Sequence, residues 1–145
     1  MKMKKIGLIL LIIFSCSEPQ TETESFPITV EFREVGKGSL SGTGLENIEK
    51  QNIVINEKVE WENLITKMNS FYNQYNFEEV DFEKETIIGI ILETQDGASV
   101  EIKEVIEESE NFTVKFETMT FQTLVETQPY HIITIPKTEK KITFE

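Results

Sequence analysis

Thr86-Ile87-Ile88-Gly89-Ile90-Ile91-Leu92 constrains this chain most: seven residues without a charge, five of them isoleucine or leucine. A half-buried strand alternates apolar and polar residues. This stretch does not alternate, and so predicts a central strand buried on both faces. Other segments alternate cleanly. Ile28, Val30 and Phe32 face away from Thr29, Glu31 and Arg33, which predicts a half-buried strand closing near Val35. Ile53 and Ile55 mark a second short strand. Val100 and Ile102 mark another, as do Phe112, Val114 and Phe116. Thr118 to Thr127 is mixed, with a strand expected around Phe121 to Val125. Tyr130 to Ile135 and the pair Ile142 and Phe144 complete the set. Asp96-Gly97 is the best hairpin signal in the chain, and Glu107 to Asn111 is a polar turn. One helix is expected. Asn56 is placed to cap it, Glu57 and Glu60 suit its first turn, and Trp61, Leu64, Ile65, Met68 and Tyr72 form an apolar stripe. The helix should stop between Tyr72 and Tyr75. The order β-β-α-β-β-β-β-β predicts an α+β fold: a mainly antiparallel β-sheet of about seven strands with one amphipathic helix packed on it.

The first 25 residues belong to a different regime. Met1-Lys2-Met3-Lys4-Lys5 is basic, and Ile6 to Phe14 is a run of nine residues without a charge. That is the length of a signal-peptide core, well short of the ~20 residues of a membrane-spanning helix. Ser15 is the small residue expected before a cleavage site. Cys16 follows it, with Ile13 three positions upstream, in the pattern of a bacterial lipobox. Cys16 is the only cysteine of the 145 residues, so no internal disulfide exists for it. Its neighbours, Ser17 to Ser25, offer no apolar residue to pack against. Residues 1–15 therefore read as a lipoprotein signal peptide. Cys16 reads as the acylated new N-terminus, residues 16–25 as a lipidated cysteine with an acidic tether, and 26–145 as one domain. The acidic stretch resembles the surface-export tag of some Gram-negative lipoproteins. The expected location is the cell envelope, anchored by lipid to the outer membrane, with a lean to the surface side.

Cleavage before Cys16 would remove three lysines and no acid, leaving 11 basic and 26 acidic side chains and a formal charge of −15. Nucleic acid and anionic headgroups are held by Lys and Arg, so neither is an expected partner. Lipid on Cys16, rather than charge, must hold the chain to a membrane.

The inventory for catalysis is thin. The one histidine, His131, shares a strand face with Ile133 and Ile135. Ser41 or Ser99 could pair with it only on paper, and there is no Gly-x-Ser-x-Gly elbow. One histidine and no second cysteine make a poor zinc set. Asp81 and Asp96 are the only aspartates and lack calcium-loop spacing. No cofactor or metal is called for. Asn111-Phe112-Thr113 fits a glycosylation sequon that a bacterial lipoprotein does not use. Gly36 to Gly44 holds four of the seven glycines, but Gly36-Lys37 runs on into Gly38 rather than opening a helix as a phosphate loop does. It reads as a flexible connection.

Several segments, taken in order, resemble the PrcB C-terminal domain family, which is named for a lipoprotein subunit of a bacterial protease complex. They are Ile55 to Leu64 with its Glu60-Trp61 pair, Val80-Asp81-Phe82 leading to Ile90, Gly97 to Ile102, and Gln128-Pro129-Tyr130 to Pro136. The resemblance runs from about Ser41 to Glu145. It departs from the family at Thr94-Gln95-Asp96-Gly97-Ala98, which keeps the threonine and one glycine of a Thr-Gly-Gly-Tyr turn and lacks its aromatic residue. It implies a non-catalytic accessory or binding module that binds or stabilises a secreted protease or another envelope protein. Loops at strand ends carry recognition more often than core positions do, so the candidate partner-binding loops are Gly36, Gly38, Gly42 and Gly44, and Gln95, Asp96 and Gly97. Two rival readings are a carboxylate-dependent envelope hydrolase and a structural surface lipoprotein.

Overall fold

The computed structural model describes residues 25–41, 44–71 and 75–145. Cys16, the signal segment, most of the tether, Gly42 and Tyr72 lie outside these. Nine strands and one helix follow in the order β1 (Ile28–Thr29), β2 (Arg33–Ser41), β3 (Gln51–Ile55), α1 (Lys58–Met68), β4 (Glu85–Ile91), β5 (Gln95–Asp96), β6 (Ala98–Glu107), β7 (Asn111–Thr120), β8 (Glu126–Pro136) and β9 (Lys141–Phe144). They form two sheets where the sequence suggested one. One runs β1-β6-β7-β9. The other runs β2-β8-β4-β3, with β5 joined to β8. The pairs are antiparallel, as expected in the main, except β7–β9, which is parallel.

The apolar run in β4 has the two covered faces its sequence demands. Ile87 and Ile91 join Ile53, Ile55, Trp61, Met68 and Ile132 in a core under the helix. Ile88 and Ile90 join Val100, Ile102, Val105, Val114, Ile133 and Ile135 in a second core between the sheets. The domain is thus layered helix, five-stranded sheet, four-stranded sheet. Each fully buried isoleucine contributes ~1.5–3 kcal/mol.

The strand expected from Ile28 to near Val35 is not one strand. β1 pairs with β6 in one sheet and β2 pairs with β8 in the other, so the chain crosses between sheets at residues 30–32. Period-2 patterning reports which side of a strand is covered, not which sheet covers it.

The Gly36–Gly44 connection is largely strand. Gly36 and Gly38 sit within β2, opposite Ile132 and Tyr130 of β8. An aromatic group lies over them. Trp61 and Phe77 meet edge-on at 5.1 Å, and Phe77 and Tyr130 lie 6.1 Å apart. A Cβ at Gly36 would come 2.6 Å from Phe77 Cδ1, and one at Gly38 3.2 Å from the Tyr130 hydroxyl. These glycines make room for rings rather than supplying flexibility. Burial, with Tyr75 nearby, pushes the Tyr130 phenol up to about 12.

The helix is shorter than expected and starts differently. Glu57, not Asn56, is its N-cap residue, and no side chain caps it. Asn56 instead accepts from the Thr86 hydroxyl at 2.6 Å, tying the end of β3 to β4. The helix ends at Met68 because the Asn69 side chain bonds both backbone groups of Tyr75, at 2.9 and 3.1 Å. Trp61 and Met68 are the buried ends of the stripe, while Leu64 and Ile65 pack at its margin.

Asp96-Gly97 does not close a hairpin. β4 and β6 belong to different sheets, so this turn is a corner between them. The hairpin lies later, at the polar turn, where Glu108 N–H donates to Asn111 O at 2.8 Å between β6 and β7. Phe121 to Val125 is not a strand.

Candidate binding pole

β6 and β7 pair from Glu107 opposite Phe112 at one end to Ala98 opposite Thr120 at the other. At the latter end the chain leaves β7, runs through 121–125, and returns as β8. β5 and the end of β2 meet it there: Gln95 and Asp96 pair with Thr127 and Glu126, and Ser41 pairs with Thr127. Four apolar side chains stand out into solvent here, Met119 near the end of β7 and three on the connection. Met119 and Phe121 are each 57% exposed, Val125 is 63% exposed, and Leu124 is fully exposed. Leu45, beyond the end of β2, is half exposed as well.

The connection is held in place by its base. Gly97 has φ +52, and its carbonyl accepts from the Phe121 N–H at 2.8 Å. A Cβ on Gly97 would fall 1.9 Å from the Phe121 carbonyl oxygen, so the Gly97 and Phe121 backbones approach as only glycine permits. Val125 N–H donates to the Thr123 hydroxyl at 3.2 Å.

The loop residues expected to contact a partner are thereby divided. Gln95, Asp96 and Gly97 lie at this pole, with Asp96 exposed, Gln95 half-buried and Gly97 buried as the hinge of the corner. Gly44, at φ +68, stands in open space beyond the end of β2. Gly36, half-buried, and Gly38, exposed, lie within β2 beside the rings of Phe77 and Tyr130, away from this pole. Met119, Phe121, Leu124 and Val125 were missed because the stretch looks like a strand. The signal that could have found them is the charge-free run Thr118 to Val125 in a chain with 28% charged residues, lacking the strict alternation of a half-buried strand.

His131 is buried, and both ring nitrogens are engaged. Nδ1 accepts from the Ile102 N–H at 2.7 Å, and Nε2 lies 3.2 Å from Glu34 Oε2. An acceptor Nδ1 carries no proton, so Nε2 holds it and donates to Glu34. Burial lowers the His131 pKa, against the pull of Glu34. Neither nitrogen is left to serve Ser41 or Ser99 as a base.

The carboxylates show the same self-containment. Burial pushes Glu85 up, but the Asp81 N–H, the Arg33 guanidinium and the Thr134 hydroxyl together bring it below the usual range. The Lys84 ammonium, 2.9 Å away, and the Glu83 N–H lower Asp81. Lys103 and Lys37 bring Glu101 down to about 2. A carboxyl acting as general acid needs its pKa raised, and these three move the other way. Among the described residues no group of three or more His, Cys, Asp and Glu could hold a metal ion. A groove of about 690 Å³ between β3 and α1 mixes Glu49 and Glu60 with Lys50 and Lys67. No helix among the described residues is long and apolar enough to cross a membrane.

The fold and pole define a layered α+β domain displaying an apolar connection at one end. No family model matches this chain, and no curated protein or solved structure matches it.

Proposed function

We propose that this chain is a non-catalytic binding module, carried on a lipid-anchored envelope lipoprotein, that engages another envelope protein through the pole at 95–97 and 119–125. The observation that carries the reading is the display of Met119, Phe121, Leu124 and Val125 on and beside a connection braced by Gly97. Loops on a rigid scaffold are where recognition residues concentrate, and exposing such side chains has no benefit for the domain's own stability. The sequence resemblance to PrcB-like subunits suggests a secreted protease as the partner, and the lipobox suggests the anchor. The test is recovery of partner proteins from native membranes by wild type and by Gln95→Ala/Asp96→Ala. Recovery should fall in the variant while the melting temperature stays unchanged. Undiminished recovery would move the interface elsewhere. Turnover of a peptide or glycan that disappears with one Glu→Gln change would promote the hydrolase.

A further inference from the structure

Asp96 and Glu126 face each other across the β5–β8 pair, at the root of the apolar connection. Like charges directly opposite on paired strands are unfavourable. Both residues are exposed, and among the described residues neither is in an ion pair. This contrasts with the neighbouring acids of β6 and β7, where Lys103 reaches both Glu101 and Glu117, and Lys115 reaches Glu104. The domain thus neutralises its acids along the sheet and leaves an uncompensated pair beside its most exposed apolar side chains.

Resting on the binding-module reading, we infer that the pole fits a socket of one kind: an apolar pocket on a partner protein, rimmed by Lys or Arg. Leu124 and Phe121 would fill the pocket, and a cation at its rim would relieve the repulsion between Asp96 and Glu126. Buried anchors with complementary charge around them are how such surfaces obtain affinity and orientation. Two other occupants fit worse. A second copy would bring the same acid pair against itself, on a chain of formal charge −12. A bilayer would meet the same acids at its headgroups. The pole also lies far from where the described chain begins. Ser25 leads to Ile28, which pairs with Glu107 at the hairpin end of β6. β6 spans ten residues, or ~30 Å, between that end and Ala98.

The test uses the full chain in its native cells, with a benzophenone photo-crosslinking residue at Leu124 and, as a control at the opposite end, at Glu110. The adducts are identified by peptide mass mapping. Charge reversal with Asp96→Lys/Glu126→Lys keeps like charges facing each other, and so leaves the fold's own electrostatics comparable. Asp96→Asn/Glu126→Gln is the milder companion. The expected result is an adduct from 124, absent from 110, to a partner peptide beside Lys or Arg, falling about tenfold or more on reversal and less on neutralisation. A protein adduct indifferent to both variants overturns the basic rim while leaving the binding-module reading standing. An adduct to lipid, an adduct to a second copy, or no adduct at 124 overturns both.

Discussion

The Nδ1 atom of His131 accepts a hydrogen bond from the backbone N–H of Ile102 at 2.7 Å, joining a strand of one sheet to a strand of the other. β6 has a bulge between Ile102 and Glu104, and the histidine ring satisfies a buried donor at that irregularity. Protonating Nδ1 removes the acceptor. The groups facing the ring are Glu34 and Lys37 of β2 and Glu101 of β6.

A pH dependence follows. The folded-state pKa of His131 lies below its ordinary 6.5. As pH falls, the unfolded chain takes up the proton first. The stabilisation is therefore complete above about 6.5 and is lost progressively below it. His131→Phe should abolish this part of the pH profile and cost ~1–3 kcal/mol at pH 7.5, the cost of an orphaned buried N–H. His131→Gln, which retains an acceptor, should cost less. Urea unfolding between pH 7.5 and 5.5 checks all three.

Gly97→Ala should destabilise strongly. The residue has φ +52 and would place a methyl 1.9 Å from the Phe121 carbonyl oxygen. Strained backbone of this kind costs ~1–3 kcal/mol, and the clash adds to it. Gly44→Ala has a comparable φ of +68 but meets no atom within 4 Å, so it should be the milder change. Paired thermal melts compare them.

Within the helix, Met68→Ala should cost ~2–5 kcal/mol, since Met68 is wholly buried in the core beneath α1. Leu64→Ala, at the half-buried margin, should cost less, and Glu62→Ala almost nothing. Equal unfolding midpoints for Met68→Ala and Glu62→Ala would show that the helix is not packed on the sheet.

The sequence made some levels of this fold legible and hid others. Strand identity was readable wherever burial was one-sided, as at Val100 and Ile102, or complete, as in β4. Sheet membership was not. Ile28 and Val35 were expected in one strand yet serve different sheets, and Asp96-Gly97 has hairpin chemistry but turns a corner. Gly36 and Gly38 looked like a loop because the residues that require them, Phe77 and Tyr130, are distant in sequence. His131 was readable as packed among isoleucines. Its bond to Ile102 was not, because the donor is backbone. Within the candidate pole, Gln95 to Gly97 was found through turn chemistry, while Phe121 to Val125 passed for a strand.

Cys16→Ser tests the anchor. Wild type should partition with membranes and carry an N-terminal mass starting at an acylated Cys16. The variant should lose that modification and its membrane partition. A variant that stays in the membrane fraction with an unchanged N-terminal mass would remove the lipoprotein reading.

The most direct measurement is partner recovery from native membranes by Phe121→Ser/Leu124→Ser set against wild type, with melting temperature measured on both. Both side chains are largely exposed, so the substitutions should leave stability within ~0.5 kcal/mol. A binding module that recognises its partner through this pole predicts recovery lost at unchanged melting temperature. Recovery equal to wild type would contradict it.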